Sequence, residues 1–143
     1  KKKRIIMKSL FDKVSYDCSK ITTNSYSTSF SLGIKFLDSD IRDSVYGIYG
    51  FVRFADEIVD TFHDYDKRGL LDDFRIETQK ALDNKISLNP ILNSFQATVH
   101  KYNIDYDLIW EKELENKLDD FYKAMNWDKP NPNLAKASQF FSF

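Results

Sequence analysis

From Asp40 to about Phe62 the chain carries one uninterrupted helical pattern, and that run limits the folds open to it. Ile41, Val45, Ile48, Val52, Ala55 and Val59 recur at three- and four-residue intervals, the repeat of one side of an α-helix. Asp38, Ser39 and Asp40 supply a cap and an acidic first turn. Gly47 and Gly50 lie inside the run, each costing about 1 kcal/mol relative to alanine. They sit away from the apolar stripe, where close approach of another helix or a ligand would account for them. The whole chain has only four glycines and three prolines, too few for a turn-rich β fold. It reads as all-α.

Other helices read less strongly. One is expected from about Ser9, with Ser9 as cap, through Leu10, Phe11, Val14, Cys18 and Ile21. A hydroxyl-rich stretch from Thr22 to Ser31 reads as a polar interhelical loop, because such residues favour caps and turns. A third helix runs from about Asp66 to Asn84 with Leu70, Leu71, Phe74, Thr78, Ala81 and Leu82 inward. Asn89-Pro90 announces a fourth, ending near Asn103. A fifth spans about Asp105 to Met125, where Glu111, Glu115 and Asp119 read as a solvated acidic row. Lys129 to Asn133 is a helix stop. His63 has no second histidine at ligand spacing and reads as exposed.

The long helix also holds the candidate chemistry. Tyr49, Arg53, Asp56 and Asp60 fall in one arc beside the apolar stripe, as residues three and four apart must. Carboxylates held near a core neutralise, pair or bind metal. Two of them one turn apart, beside an arginine, suit a hard cation such as Mg²⁺. The same spacing also describes surface ion pairs of Arg53 with Asp56 or Glu57, and the residues alone leave both readings open.

Composition removes several classes. A net charge of -1 gives no overall field for nucleic acid or anionic lipid, and no run approaches the length that crosses a bilayer. One cysteine, Cys18, makes no internal disulfide, which fits a reducing compartment. The basic run Lys1 to Arg4 is followed by an apolar segment too short and interrupted for a signal peptide, and the expected location is the cytoplasm, with contact at a membrane surface left open. No Ser-His-Asp, zinc or phosphate-loop pattern occurs. Nothing sets the oligomeric state.

Tyr26-Ser27-Thr28-Ser29-Phe30, followed by Val45 through Asp60 with its Arg-x-x-Asp-x-x-x-Asp core, resembles the N-terminal part of squalene/phytoene synthases, most of all the bacterial phytoene synthases. The likeness runs from about Phe11 to Ile109. It divides the chain into a basic segment (1–8), a synthase-like portion (9–109) and a divergent helix and tail (110–143). It implies part of an isoprenoid-synthase helical bundle of about five helices. The activity it implies is head-to-head prenyl transfer, joining two geranylgeranyl diphosphates to phytoene through a cyclopropyl diphosphate intermediate, a step of carotenoid synthesis.

On the same footing, Asp56 and Asp60 would hold Mg²⁺ (or Mn²⁺) against a substrate diphosphate. Arg53, Ser27 and Ser29 would bind that diphosphate, and Tyr49 would line the site near the reacting carbons. Tyr26, which stands where several family members have histidine, is counted with Arg53, Ser27 and Ser29 in the diphosphate-binding set. The family's second aspartate-rich motif has no counterpart in matching surroundings, so the chain alone is expected to be inactive or nearly so. The alternatives are a squalene or dehydrosqualene synthase type and a non-catalytic helical interaction module.

Overall fold

α1 (Lys2–Tyr26) and α2 (Thr28–Ile34) are followed by the long α3 (Ser39–Asp60). Then come α4 (Lys67–Asn84), α5 (Pro90–Tyr102), the short α6 (Tyr106–Ile109) and a π-helical stretch, Trp110–Glu115. These elements belong to a computed structural model that describes residues 2–116, the side chains of 40 and 112–114 excepted. Among the described residues there is no strand, and the chain is all-α as its pattern predicts. The expected residues beyond 116, including Asp119, Phe121 and the proline-rich stop, lie outside the described residues.

Two expectations near the N-terminus are corrected. α1 begins at Lys2 rather than Ser9, so Ser9 is an interior residue. No glycine or proline interrupts the segment. Lys8 to Asp12 (2.6 Å) and Lys13 to Asp17 (2.9 Å) support it as i, i+4 pairs. The hydroxyl-rich stretch is also helical rather than a loop. Thr22 donates to the Cys18 carbonyl (3.0 Å), Thr23 to Ser19 (2.9 Å) and Ser31 to Ser27 (2.8 Å), so the hydroxyls bond one turn back without leaving the helix. Only Ser27 breaks the run. Its backbone is extended and its Oγ accepts from the Phe30 N–H at 3.2 Å, capping α2.

The helices form two compact units. The first comprises residues 1–53 and 77–104, the second 54–76 and the residues from 105 onward. In the first, α1 meets α5 through small polar side chains. Ser19 Oγ lies 2.6 Å from Ser94 Oγ, and Asn93 donates to Ser15 (3.0 Å) and Asp12 (2.9 Å). The two glycines of α3 find their explanation here. A Cβ on Gly47 would stand 2.7 Å from Thr98 Oγ1, and one on Gly50 would stand 2.9 Å from Ser19 Oγ, so α1 and α5 approach closer than a side chain permits. Phe51 of α3 stacks on Phe95 of α5, centroids 3.8 Å apart, and both are fully buried. Asn89 caps α5 through Ile91 N–H (3.0 Å), with Pro90 following and Asn103 left-handed at the far end.

In the second unit Ala55, Ile58, Val59, Leu71, Tyr106 and Trp110 are buried. Arg68 grips Glu115 with two bonds, 2.9 and 3.0 Å, and Asp72 at 2.6 Å. Trp110 donates its indole N–H to Glu115 (3.1 Å) under the Arg75 guanidinium. Glu115 is therefore no member of a solvated row: it is half-buried, and the hydrogen bonds from Arg68 hold its carboxyl below the usual range. His63 is likewise half-buried rather than exposed, and burial lowers its pKa.

Candidate functional site

The first unit contains an apolar cavity of about 570 Å³, inside the ~300–1,000 Å³ range of small-molecule sites. One side of α3 builds its wall: Ile41, Val45, Ile48, Tyr49 and Val52. The pattern predicts that this stripe packs into a core. The first half of the stripe instead faces an open volume, with Ile41 still 44% exposed, while Ala55 and Val59 are buried as predicted; Tyr46, Phe51 and Ile58 of α3 are buried too. Phe30 of α2 and Ile104 after α5 complete the lining of this open cleft. Its few hydroxyls are engaged, Ser44 donating to the Tyr102 oxygen at 3.4 Å and Thr98 to the Ser94 carbonyl at 2.9 Å. The volume is suited to a hydrocarbon.

At the α1–α2 junction the sequence candidates meet α3 in two pairs. Tyr49 stacks on Phe30, centroids 5.0 Å apart and planes inclined 26°, and its ring lines the cavity. One helical turn on, the Arg53 guanidinium lies over the Tyr26 ring, 5.1 Å from its centroid. Ser27 is committed to capping α2, but as an acceptor, which leaves its own proton for a ligand oxygen. Ser29 is exposed on the first turn of α2. Tyr26, Ser27, Ser29 and Arg53 thus flank one end of α2, with the cavity wall beginning at Phe30.

Asp56 and Asp60 fall in the second unit, both half-buried and four residues apart on α3. Lys67 is the residue that sequence reasoning missed there. Its ammonium is buried and donates to the Val59 carbonyl, satisfying one of the last carbonyls of α3. Burial pushes the Lys67 pKa down to about 8, against the opposing pull of Asp60. No local signal marks it, since a lysine in the polar break between two helices reads as solvated. Burial likewise dominates the lowered pKa of His63, with Lys67 adding to it and Asp64 and Asp60 countering.

The donor set fits Mg²⁺ in kind. Two carboxylates a turn apart match an ion that takes one or two carboxylates and fills its remaining positions with water and phosphate. Among the described residues no group of three or more His, Cys, Asp or Glu side chains could hold a metal. Asp56 and Asp60 would therefore offer two protein ligands rather than a closed cage.

Compared with known proteins, residues 23–128 match the family model described as squalene/phytoene synthase. That match begins later than Phe11 and runs on past Ile109, further toward the C-terminus than the motif-based likeness. No curated protein and no solved structure matches. No described helix is long and apolar enough to cross a membrane.

Proposed function

This chain belongs to the squalene/phytoene synthase family, and from that premise we propose that it binds an allylic prenyl diphosphate for head-to-head prenyl transfer. The favoured substrate is geranylgeranyl diphosphate and the product phytoene. The observation that carries this reading is the apolar cavity along α3, whose wall residue Tyr49 lies one turn before Arg53. A hydrocarbon tail enters the cavity, where its burial stabilises by about 25 cal/mol per Å². The diphosphate then lies toward Arg53, whose planar guanidinium pairs phosphate oxygens in a fixed fork. The Ser27 and Ser29 hydroxyls donate further bonds at the start of α2.

Asp56 and Asp60 would hold Mg²⁺, which when bound supplies charge neutralisation for a diphosphate leaving group. Everything else falls to the chain. Arg53 stabilises negative charge as it grows on the bridging oxygen. The apolar lining disfavours water beside an allylic cation, and the faces of Tyr49 and Phe30 present electron density to it. Head-to-head coupling places two such substrates together, and the second aspartate-rich motif that the family uses for this has no counterpart in matching surroundings here. Turnover therefore requires a second acidic wall.

Ile48→Trp tests the reading by filling the cavity. Titration calorimetry with a thiolo-diphosphate analogue of geranylgeranyl diphosphate should show at least tenfold weaker binding in the variant, with helicity unchanged. Equal affinity, or no binding by either protein, would leave a non-catalytic helical module. A preference for the farnesyl analogue would move the assignment to the squalene type.

A further inference from the structure

α1 is packed inside out. The residues it buries are small and polar, Ser15, Ser19, Thr22 and Thr23, and Ser15 and Ser19 face α5 and the Gly50 position of α3. Its large apolar side chains are left outside. At about 100° per residue, Ile6, Leu10, Val14 and Ile21 form one stripe, with Met7 at its margin. All five are exposed, Ile6 and Ile21 to 65% each. A contiguous apolar stripe on an otherwise polar surface marks an interaction site.

Charge identifies what it fits. Lys2, Lys3, Arg4 and Lys8 precede the first acid in the chain, Asp12, and all four are exposed. Asp12 is held by Lys8 and Asn93. Asp17 lies within the arc of the stripe between Val14 and Ile21 and pairs with Lys13 at 2.9 Å, so the uninterrupted apolar run is Ile6, Leu10 and Val14. Lys20 lies 6.0 Å from the Tyr46 ring centroid. The first half of α1 is therefore a cationic amphipathic helix, exposed on every side from residue 2 to residue 10. Such a helix lies in a lipid interface with its apolar side among the acyl chains and its lysines reaching to the headgroups.

We infer that the N-terminal half of α1 docks on the surface of an anionic lipid bilayer, with Ile6, Leu10 and Val14 entering the interface and Lys2, Lys3 and Arg4 meeting lipid phosphates. The surface stands independently of the prenyl-transfer reading, because none of these residues belongs to the cavity or the acidic pair.

The test is flotation of the full chain with vesicles of phosphatidylcholine alone or with an equal part of phosphatidylglycerol. The wild type floats with the anionic vesicles and not with the neutral ones, and high salt weakens the association. Lys2→Gln, Lys3→Gln and Arg4→Gln together reduce partitioning roughly a hundredfold, at about fivefold per cation. Ile6→Ser, Leu10→Ser and Val14→Ser together reduce it at least tenfold. All six positions are exposed, so circular dichroism should show both variants folded. A wild type that stays at the bottom of the anionic gradient overturns the inference, as does undiminished flotation of the serine variant. A wild-type dimer that the serine variant dissolves assigns the stripe to a second copy, and overturns it too.

Discussion

The Arg53 guanidinium lies over the face of Tyr26, 5.1 Å from the ring centroid. The contact joins the end of α1 to the side of α3 beside the cavity and gives Tyr26 a role that its hydroxyl does not require. A cation over an aromatic face at such a site contributes about 0.5–1 kcal/mol. Tyr26→Ala should therefore weaken binding of the diphosphate analogue by roughly two- to fivefold, whereas Tyr26→Phe keeps the ring and should bind like the wild type. Calorimetric titration of both variants checks it. Equal losses in both would mean that the hydroxyl, not the ring, is what matters.

Gly47 is set by packing. Its missing Cβ would meet Thr98 Oγ1 at 2.7 Å and the Ser94 carbonyl at 3.0 Å, and the backbone oxygen cannot swing aside. Gly47→Ala gains about 1 kcal/mol of helix propensity but forces α5 away, at about 1–3 kcal/mol. The expected outcome is a net loss of about 1 kcal/mol in urea unfolding. Greater stability in the alanine variant would show that α5 yields without cost.

Glu115 should make stability depend on acid. Arg68 holds its carboxyl below the ordinary value of 4.5, so the folded state binds protons less readily than the unfolded one. The contribution is then complete above about pH 4.5 and is lost as pH falls below that value through the folded pKa. Glu115→Gln should cost about 1–2 kcal/mol at neutral pH, at the low end for a charged hydrogen bond because Arg68 keeps Asp72. Urea midpoints of the two proteins should converge as the pH is lowered from 5 to 3. A constant gap would assign the loss to packing alone.

The pattern of α3 and the cap of α5 were legible because both are local: one is a repeat, the other an Asn-Pro pair. The start of α1 was not, since Ser9 looks like a cap and only the lysine–aspartate pairs beyond it reveal a longer helix. Nor was the helical state of Thr22 to Ser31, because hydroxyls that could end a helix here bond back into it. The cavity was hidden for a different reason. An apolar stripe such as Ile41, Val45 and Ile48 looks the same in sequence whether a neighbour fills it or leaves a void. Lys67 needed tertiary context, because its burial comes from the fold and not from its neighbours in the chain.

The central claim concerns the two carboxylates of α3, and it is measured most directly by Mg²⁺-dependent binding of the geranylgeranyl thiolo-diphosphate analogue. The wild type should bind at least tenfold more tightly with Mg²⁺ than with a chelator, a gain of about 1.4 kcal/mol or more. Asp56→Ala and Asp60→Ala should each erase that gain while leaving the chelator value unchanged. Mg²⁺-dependent binding that survives both substitutions would contradict the account.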